Sequence, residues 1–169
     1  NDANEGEKYV AFAKAMKSAF RDRFSAYGDP CHISVPIKKL QSKYYAEQHA
    51  KDEGFSFPHQ HEREAGSTTH FTIVDGEENI ACHTQTLGGA WGSGVVIPGT
   101  GIILNNHTNW MDPRAGFGNS IGPNRRPMAG YAPSIFFKNR KPFLAFGSPG
   151  SYLSPTAIAQ VFLNHHHRG

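Results

Sequence analysis

The spacing of apolar residues changes character at Thr68, and no single type of secondary structure satisfies both halves. Before it, Tyr9, Phe12, Met16, Phe20, Phe24 and Tyr27 recur every three or four residues, with Lys8, Lys14, Lys17, Arg21 and Arg23 between them. That is the period of one helix face. After it, Thr69 to Val74 and Asn79 to Thr86 are dense in β-branched residues and are parted by Asp75-Gly76-Glu77-Glu78. Those are the marks of strands and a tight turn. A helical first part, residues 1–67, and a strand-rich second part, residues 68–169, are therefore expected within one domain-sized chain of 169 residues.

Composition removes several classes of function. A chain with 38% hydrophobic and 12% aromatic residues is globular in type, and its formal charge of +3 is only mildly basic. Lys and Arg are scattered instead of forming a stripe, which argues against nucleic acid as a partner. No apolar run approaches the roughly 18 residues that cross a bilayer, so no membrane partner is expected. Asn1-Asp2-Ala3-Asn4 lacks a signal-peptide pattern and an initiator Met, the look of an interior cut of a longer chain. Compartment is left open. Cys31 and Cys82 have no metal-site or redox spacing and read as packed thiols.

In chain order, a helix from Glu7 to Tyr27 is stopped by Gly28-Asp29-Pro30. Ser34 caps a second helix that buries Ile37, Leu40 and Tyr44 through about Lys51. Residues 51–67 lose all period and read as a solvated linker. His59 and His61 lie within it without a third neighbouring ligand, so no metal site is read there.

Three hairpins follow. With its turn centred on Glu77, the first pairs Ile73 with Ala81, Phe71 with His83 and Thr68 with Thr86. The second joins Ser93–Ile97 to Gly101–Asn105, and the third joins Ser134–Lys138 to Pro142–Phe146 through Asn139-Arg140. Between the last two, His107 to Tyr131 is long, Gly- and Pro-rich, and of the kind that forms sites. Gly147-Ser148-Pro149-Gly150-Ser151 is a glycine turn that feeds a helix capped by Ser154, with Pro155 at its first position. Backbone N–H groups in such a turn suit an anion or oxyanion. His165-His166-His167 is either natural or a tag remnant and is not read as a metal site.

These residues carry a resemblance. Thr68-Thr69-His70-Phe71-Thr72-Ile73-Val74-Asp75, Thr84-Gln85-Thr86-Leu87, Gly92 to Asn106, Pro123-Asn124-Arg125-Arg126-Pro127 and Gly147-Ser148-Pro149-Gly150 resemble the γ-glutamyltranspeptidase family in order and spacing. Upstream, Ala15-Met16-Lys17, Asp22-Arg23 and Tyr27-Gly28-Asp29-Pro30 resemble the end of that family's large subunit. The resemblance implies an N-terminal-nucleophile hydrolase of α/β class, an αββα sandwich of which this chain is a partial copy. It also implies a precursor that cuts itself between Ser67 and Thr68. Residues 1–67 would then end the large subunit and residues 68–169 begin the small one, the two assembling as a heterodimer or larger.

The chemistry follows from residue types. A threonine hydroxyl needs a base, and an α-amino group titrating at roughly 7.7 to 8.0 is freed on the same residue by cleavage. Thr68 would attack an amide, and the resemblance makes Thr86 the residue that orients it and the N–H groups of Gly150 and Ser151 the oxyanion hole. By residue type alone, Thr68 and Thr86 read as strand threonines facing a partner. No cofactor and no metal are called for.

Substrate contacts carry over poorly. The family's glutamyl-gripping asparagine, glutamine, aspartate and two serines align with Gly88, His107, Trp110, Ala129 and Gly130. Asp112, two residues on from Trp110, restores an acid if the alignment shifts locally. The run Trp110-Met111-Asp112-Pro113-Arg114 resembles a divergent branch that includes oxamate amidohydrolase, with C–C bond cleavage a neighbouring possibility. Arg114, Arg125 and Arg126 are candidates for an acidic substrate, ion pairs within the loop being the plainer reading. His70 and His107 flank the expected pocket and read as packing or hydrogen-bonding groups. Candidate substrate contacts are thus His107, Trp110, Asp112, Arg114 and Arg126. Three functions are expected in order: a divergent small-amide hydrolase or acyltransferase, a γ-glutamyl (glutathione) hydrolase or transferase, and an inactive binding or structural module.

Overall fold

A computed structural model describes residues 4–50 and 66–168. Helix α1 (Glu5–Ala26) starts two residues earlier than its apolar period indicates, because Asn4 and Glu7 form a reciprocal capping box. Asn4 Oδ1 accepts from Glu7 N at 2.9 Å and Glu7 Oε2 accepts from Asn4 N at 3.0 Å. Such a cap contributes about 1 kcal/mol. Tyr27, with an extended backbone, ends the helix just before Gly28.

The expected second helix is two short ones, α2 (Ile37–Leu40) and α3 (Lys43–His49). Ser42 decides the break. Its Oγ accepts from Tyr45 N at 3.2 Å and donates to Lys39 O at 2.8 Å, which caps α3 while closing α2. Ser34 caps neither: α2 begins after Pro36 and has no side-chain cap. The expected linker, with His59 and His61, lies mostly outside the described residues.

Two compact units form. The first joins α1 to α3 with the loop Met111–Met128. Phe20, Met111 and Met128 are its buried apolar residues, each gaining about 1.5–3 kcal/mol from removal from water. Gly28 and Gly118 sit backbone to backbone, and a Cβ on either would strike the other's neighbourhood. Beside them the buried Asp29 carboxylate accepts from Cys31 N at 3.0 Å and Arg126 N at 2.9 Å, and pairs with the Arg126 guanidinium at 3.2 Å. Cys31 is exposed and not a packed thiol, because its sulfur lies at the rim, accepting from Arg126 Nη2 at 2.8 Å.

The second unit holds β1 (Gly66–Val74), β2 (Ile80–Gly89), β3 (Ser134–Lys138), β4 (Lys141–Phe146) and α4 (Ser154–Arg168). β1 and β2 pair antiparallel with the expected register, Ile73 opposite Ala81, Phe71 opposite His83 and Thr68 opposite Thr86. β3 and β4 pair through a turn at Asn139 and Arg140, both with positive φ, the geometry of a primed turn. The expected hairpin between them is not a ladder. A single bridge, Val96 to Ile103, and a few backbone bonds hold residues 93–105, since the positive φ of Gly92, Gly94, Gly99 and Gly101 bends the chain too often for strands. Helix α4 stacks Phe162 on Phe136 at 4.1 Å, and its first residue, Ser154, donates to Ser148 O at 2.7 Å instead of accepting as a cap.

The β1–β2 hairpin turns its polar side inward. Thr68, His70, Thr72, Cys82, Thr84 and Thr86 are half-buried, while Phe71 and Ile73 on the opposite side are exposed. The inner groups satisfy one another: His70 Nδ1 lies 2.7 Å from Thr84 Oγ1, His70 Nε2 lies 3.1 Å from Thr72 Oγ1, and Cys82 Sγ donates toward Ser134 O and Phe146 O. A covered polar face of this kind is tolerated only when its hydrogen bonds are made.

Candidate active site

β2 carries one residue more than β1 between the pairs Gly66–Gly89 and Thr68–Thr86. This bulge lies opposite Ser67, the residue before the expected cut, and Ser67 Oγ donates to Gly89 O across it at 2.7 Å. Gly88 takes the bulge's positive φ of 91°, and a Cβ there would collide with the Asn106 side chain. Asn106 clamps the bulge from outside. Its Oδ1 accepts from Gly89 N at 2.9 Å and its own N–H donates to Leu87 O at 2.9 Å.

Thr86 is held through its side chain: its Oγ1 accepts from Gly88 N at 2.9 Å. Thr68 is the residue paired with it across the ladder.

His107 and Trp110 belong to a 3-10 turn, His107–Trp110, directly after Asn106. The His107 ring stacks on Trp110 at 4.3 Å between centroids, and its Nε2 lies 3.0 Å from the Tyr131 hydroxyl. Tyr131 meets Trp110 edge-on at 5.9 Å, and Tyr152 packs 6.2 Å from Trp110 with its hydroxyl donating to the Trp110 carbonyl at 3.2 Å. Burial lowers the His107 pKa, partly offset by the nearby Thr86 backbone. Burial, with the nearby Tyr152, pushes the Tyr131 phenol up to about 12. At neutral pH both groups are thus uncharged, and Nε2 of His107 accepts from the Tyr131 hydroxyl at 3.0 Å.

Gly150, with φ of 135°, leads into a second 3-10 turn, Ser151–Leu153, whose Leu153 N–H returns to Gly150 O at 3.0 Å. The first N–H groups of a helical turn have no partner within it, so those of Gly150 and Ser151 are of the type that binds an oxyanion. The loop is tied to β1 at its base, where the His70 ring lies against the bare Cα of Gly147.

Asp112, Arg114 and Arg126 lie in the helical unit, whereas Thr68, Thr86, His107, Trp110, Gly150 and Ser151 lie in the strand unit. Arg114 grips Asp112 through Nε at 3.0 Å and Nη2 at 2.7 Å, and stacks on Phe117 at 4.4 Å. Arg126 is engaged by Asp29. Spacing alone does not single out Tyr131 or Tyr152, and the Asn106 clamp depends on a bulge that no residue pattern announces. Among the described residues no cluster of three His, Cys, Asp or Glu is placed to hold a metal.

The family model described as γ-glutamyltranspeptidase matches residues 1–169. The chain belongs to that family. It is 32% identical over 187 residues to the glutathione hydrolase proenzyme of Bacillus subtilis (strain 168), covering 97% of this chain and 32% of the relative. With the acylase ACY 1 proenzyme of Pseudomonas sp. (strain SE83) it shares 36% identity over 160 residues, 88% of this chain and 28% of that one. Among solved structures, the cephalosporin acylase of Bacillus halodurans superposes with a TM-score of 0.76 at 28% identity, over 94% of this chain and 29% of that one. The chain thus spans about a third of the length of the curated γ-glutamyltranspeptidase-family relatives it matches. Its mixed helices and sheets are a partial copy of the αββα sandwich of N-terminal-nucleophile hydrolases.

Proposed function

We propose that this chain spans the self-cleavage point of a threonine amidohydrolase or acyltransferase, cut between Ser67 and Thr68 and acting on a small amide through an acyl-enzyme. The pairing of Thr68 with Thr86 beside a bulge opposite Ser67 carries this reading, in a family whose relatives bear the name proenzyme. Residues 1–67 end the large subunit and residues 68–169 begin the small one, which assemble together.

In the cut, Thr68 Oγ adds to the Ser67 carbonyl, the C–N bond breaks, and the chain is held as an ester. Water opens the ester, leaving a carboxyl on Ser67 and a free amine on Thr68. That amine, titrating at roughly 7.7 to 8.0, then takes the Thr68 hydroxyl proton as Oγ attacks the substrate carbonyl. The oxyanion is held by the N–H groups of Gly150 and Ser151, about 2.7–4 kcal/mol for each donor. Collapse breaks the substrate C–N bond and the amine leaves with the proton. Water, or an acceptor amine, displaces the acyl group from Thr68.

His107 and Trp110 line the acyl side of this site in our reading. The glutathione hydrolase relatives support a second reading, a γ-glutamyl hydrolase or transferase.

Incubation of the purified precursor tests the cut. Two bands and a new N-terminal Thr68 are expected, lost in Thr68→Ala. An intact chain with no new N-terminus would refute the enzyme reading and favour an inactive module. Turnover of a γ-glutamyl anilide that needs Thr68 would select the second reading over the small-amide one.

A further inference from the structure

We propose that this site takes an uncharged, apolar acyl group, laid against a wall of His107, Trp110, Tyr131 and Tyr152 beside Thr86; the proposal rests on Thr68 acting as nucleophile. The wall is built into the nucleophile's own unit. A Cβ on Gly88 would lie 3.2 Å from His107 Cδ2, so the ring stands directly beside the end of β2. From there the surface runs on without a break: His107 on Trp110, Trp110 against Tyr131, Trp110 against Tyr152. All four side chains are half-buried, leaving part of each ring open.

No member of this wall carries charge at neutral pH. Burial keeps His107 unprotonated and Tyr131 protonated, and the remaining two residues are a tryptophan and a tyrosine. Gly88 adds no side chain. An acyl group bearing both an ammonium and a carboxylate would give up its water here and find no ion of opposite sign on these four residues. A lone ammonium has a weaker claim, because one face of the Trp110 indole is already covered by His107 at an interplanar angle of 16°. An alkyl or aryl acyl chain loses nothing by the same transfer and gains contact with flat apolar surface.

Initial rates of the processed protein with the p-nitroanilides of butyrate, phenylacetate, 4-aminobutyrate and γ-glutamate test this. The expected kcat/KM for butyryl or phenylacetyl anilide exceeds that for γ-glutamyl anilide by at least about tenfold. Trp110→Ala narrows that ratio by about tenfold, and Trp110→Phe retains it. A γ-glutamyl or 4-aminobutyryl anilide turned over as well as the neutral ones, or a ratio unmoved in Trp110→Ala, overturns the proposal. If Trp110→Ala yields no processed protein, the wild-type order of the four anilides decides alone. Turnover in the wrong order strikes only this proposal, whereas no turnover and no N-terminal Thr68 take down the nucleophile with it.

Discussion

Thr68 and Thr86 face each other across β1 and β2 at the last regular step of the ladder, before β2 takes in its extra residue. Thr86 is fixed there through Gly88 N, which donates to its hydroxyl oxygen at 2.9 Å. Truncation to Thr86→Ala removes the hydroxyl and its backbone bond together. The expected result is a fall of about 10²-fold in the rate of the cut and of amide turnover, with Thr86→Ser largely restoring both. Densitometry of the two bands with time, beside anilide rates, checks this; equal rates in Thr86→Ala would show that its hydroxyl orients nothing.

Gly88 gives a prediction about stability. Its φ of 91° and the contact with Asn106 leave no room for a side chain. Gly88→Ala is expected to lower stability by about 1–3 kcal/mol, through backbone strain and loss of the Asn106 clamp on the bulge. Urea unfolding monitored by circular dichroism measures the shift, and an unchanged midpoint would contradict the collision.

Asp29 predicts acid sensitivity. The backbone N–H of Arg126, then that of Cys31 and the Arg126 guanidinium, lower its pKa to about 2, against roughly 3.9 unfolded. A depressed carboxyl pKa contributes stability that is complete above the unfolded value and is lost as pH falls from about 4 to about 2. Asp29→Asn should therefore flatten the decline of stability in that window and lower the plateau above it. Denaturation midpoints across pH, for both proteins, provide the comparison.

Tyr131 makes the opposite, alkaline prediction. Its phenol is pushed up to about 12, against roughly 10 unfolded, so its contribution is complete below about 10 and is lost as pH rises towards 12. Phenolate absorbance should show a late-titrating tyrosine that Tyr131→Phe removes. If all tyrosines titrate together near 10, the burial of this ring is refuted.

How much of this could be read from residues differs from place to place. The hairpin register was legible because a turn at Asp75–Asn79 fixes every pair behind it: Asp75 Oδ1 accepts from Glu77 N and Asn79 N, both at 2.9 Å. The break between α2 and α3 was not, since Ser42 and Ser34 are equally good caps by type and only the chain's path selects one. Residues 93–105 misled for a related reason. Their valines and isoleucines have strand propensity, but four glycines of positive φ override it.

Order and residue type in the chain determined the family, the helix-to-strand change at Thr68 and the pairing of Thr68 with Thr86, because these follow from local periods, turn chemistry and motif spacing. Tertiary structure alone decided the bulge opposite Ser67, the Asn106 clamp, the pairing of Arg126 with Asp29, and the joining of His107, Trp110, Tyr131 and Tyr152 into one uncharged wall. Those contacts link residues far apart in the chain. Whether an arginine or a histidine meets a partner, and keeps its charge, is set by burial and by neighbours that sequence separation does not reveal.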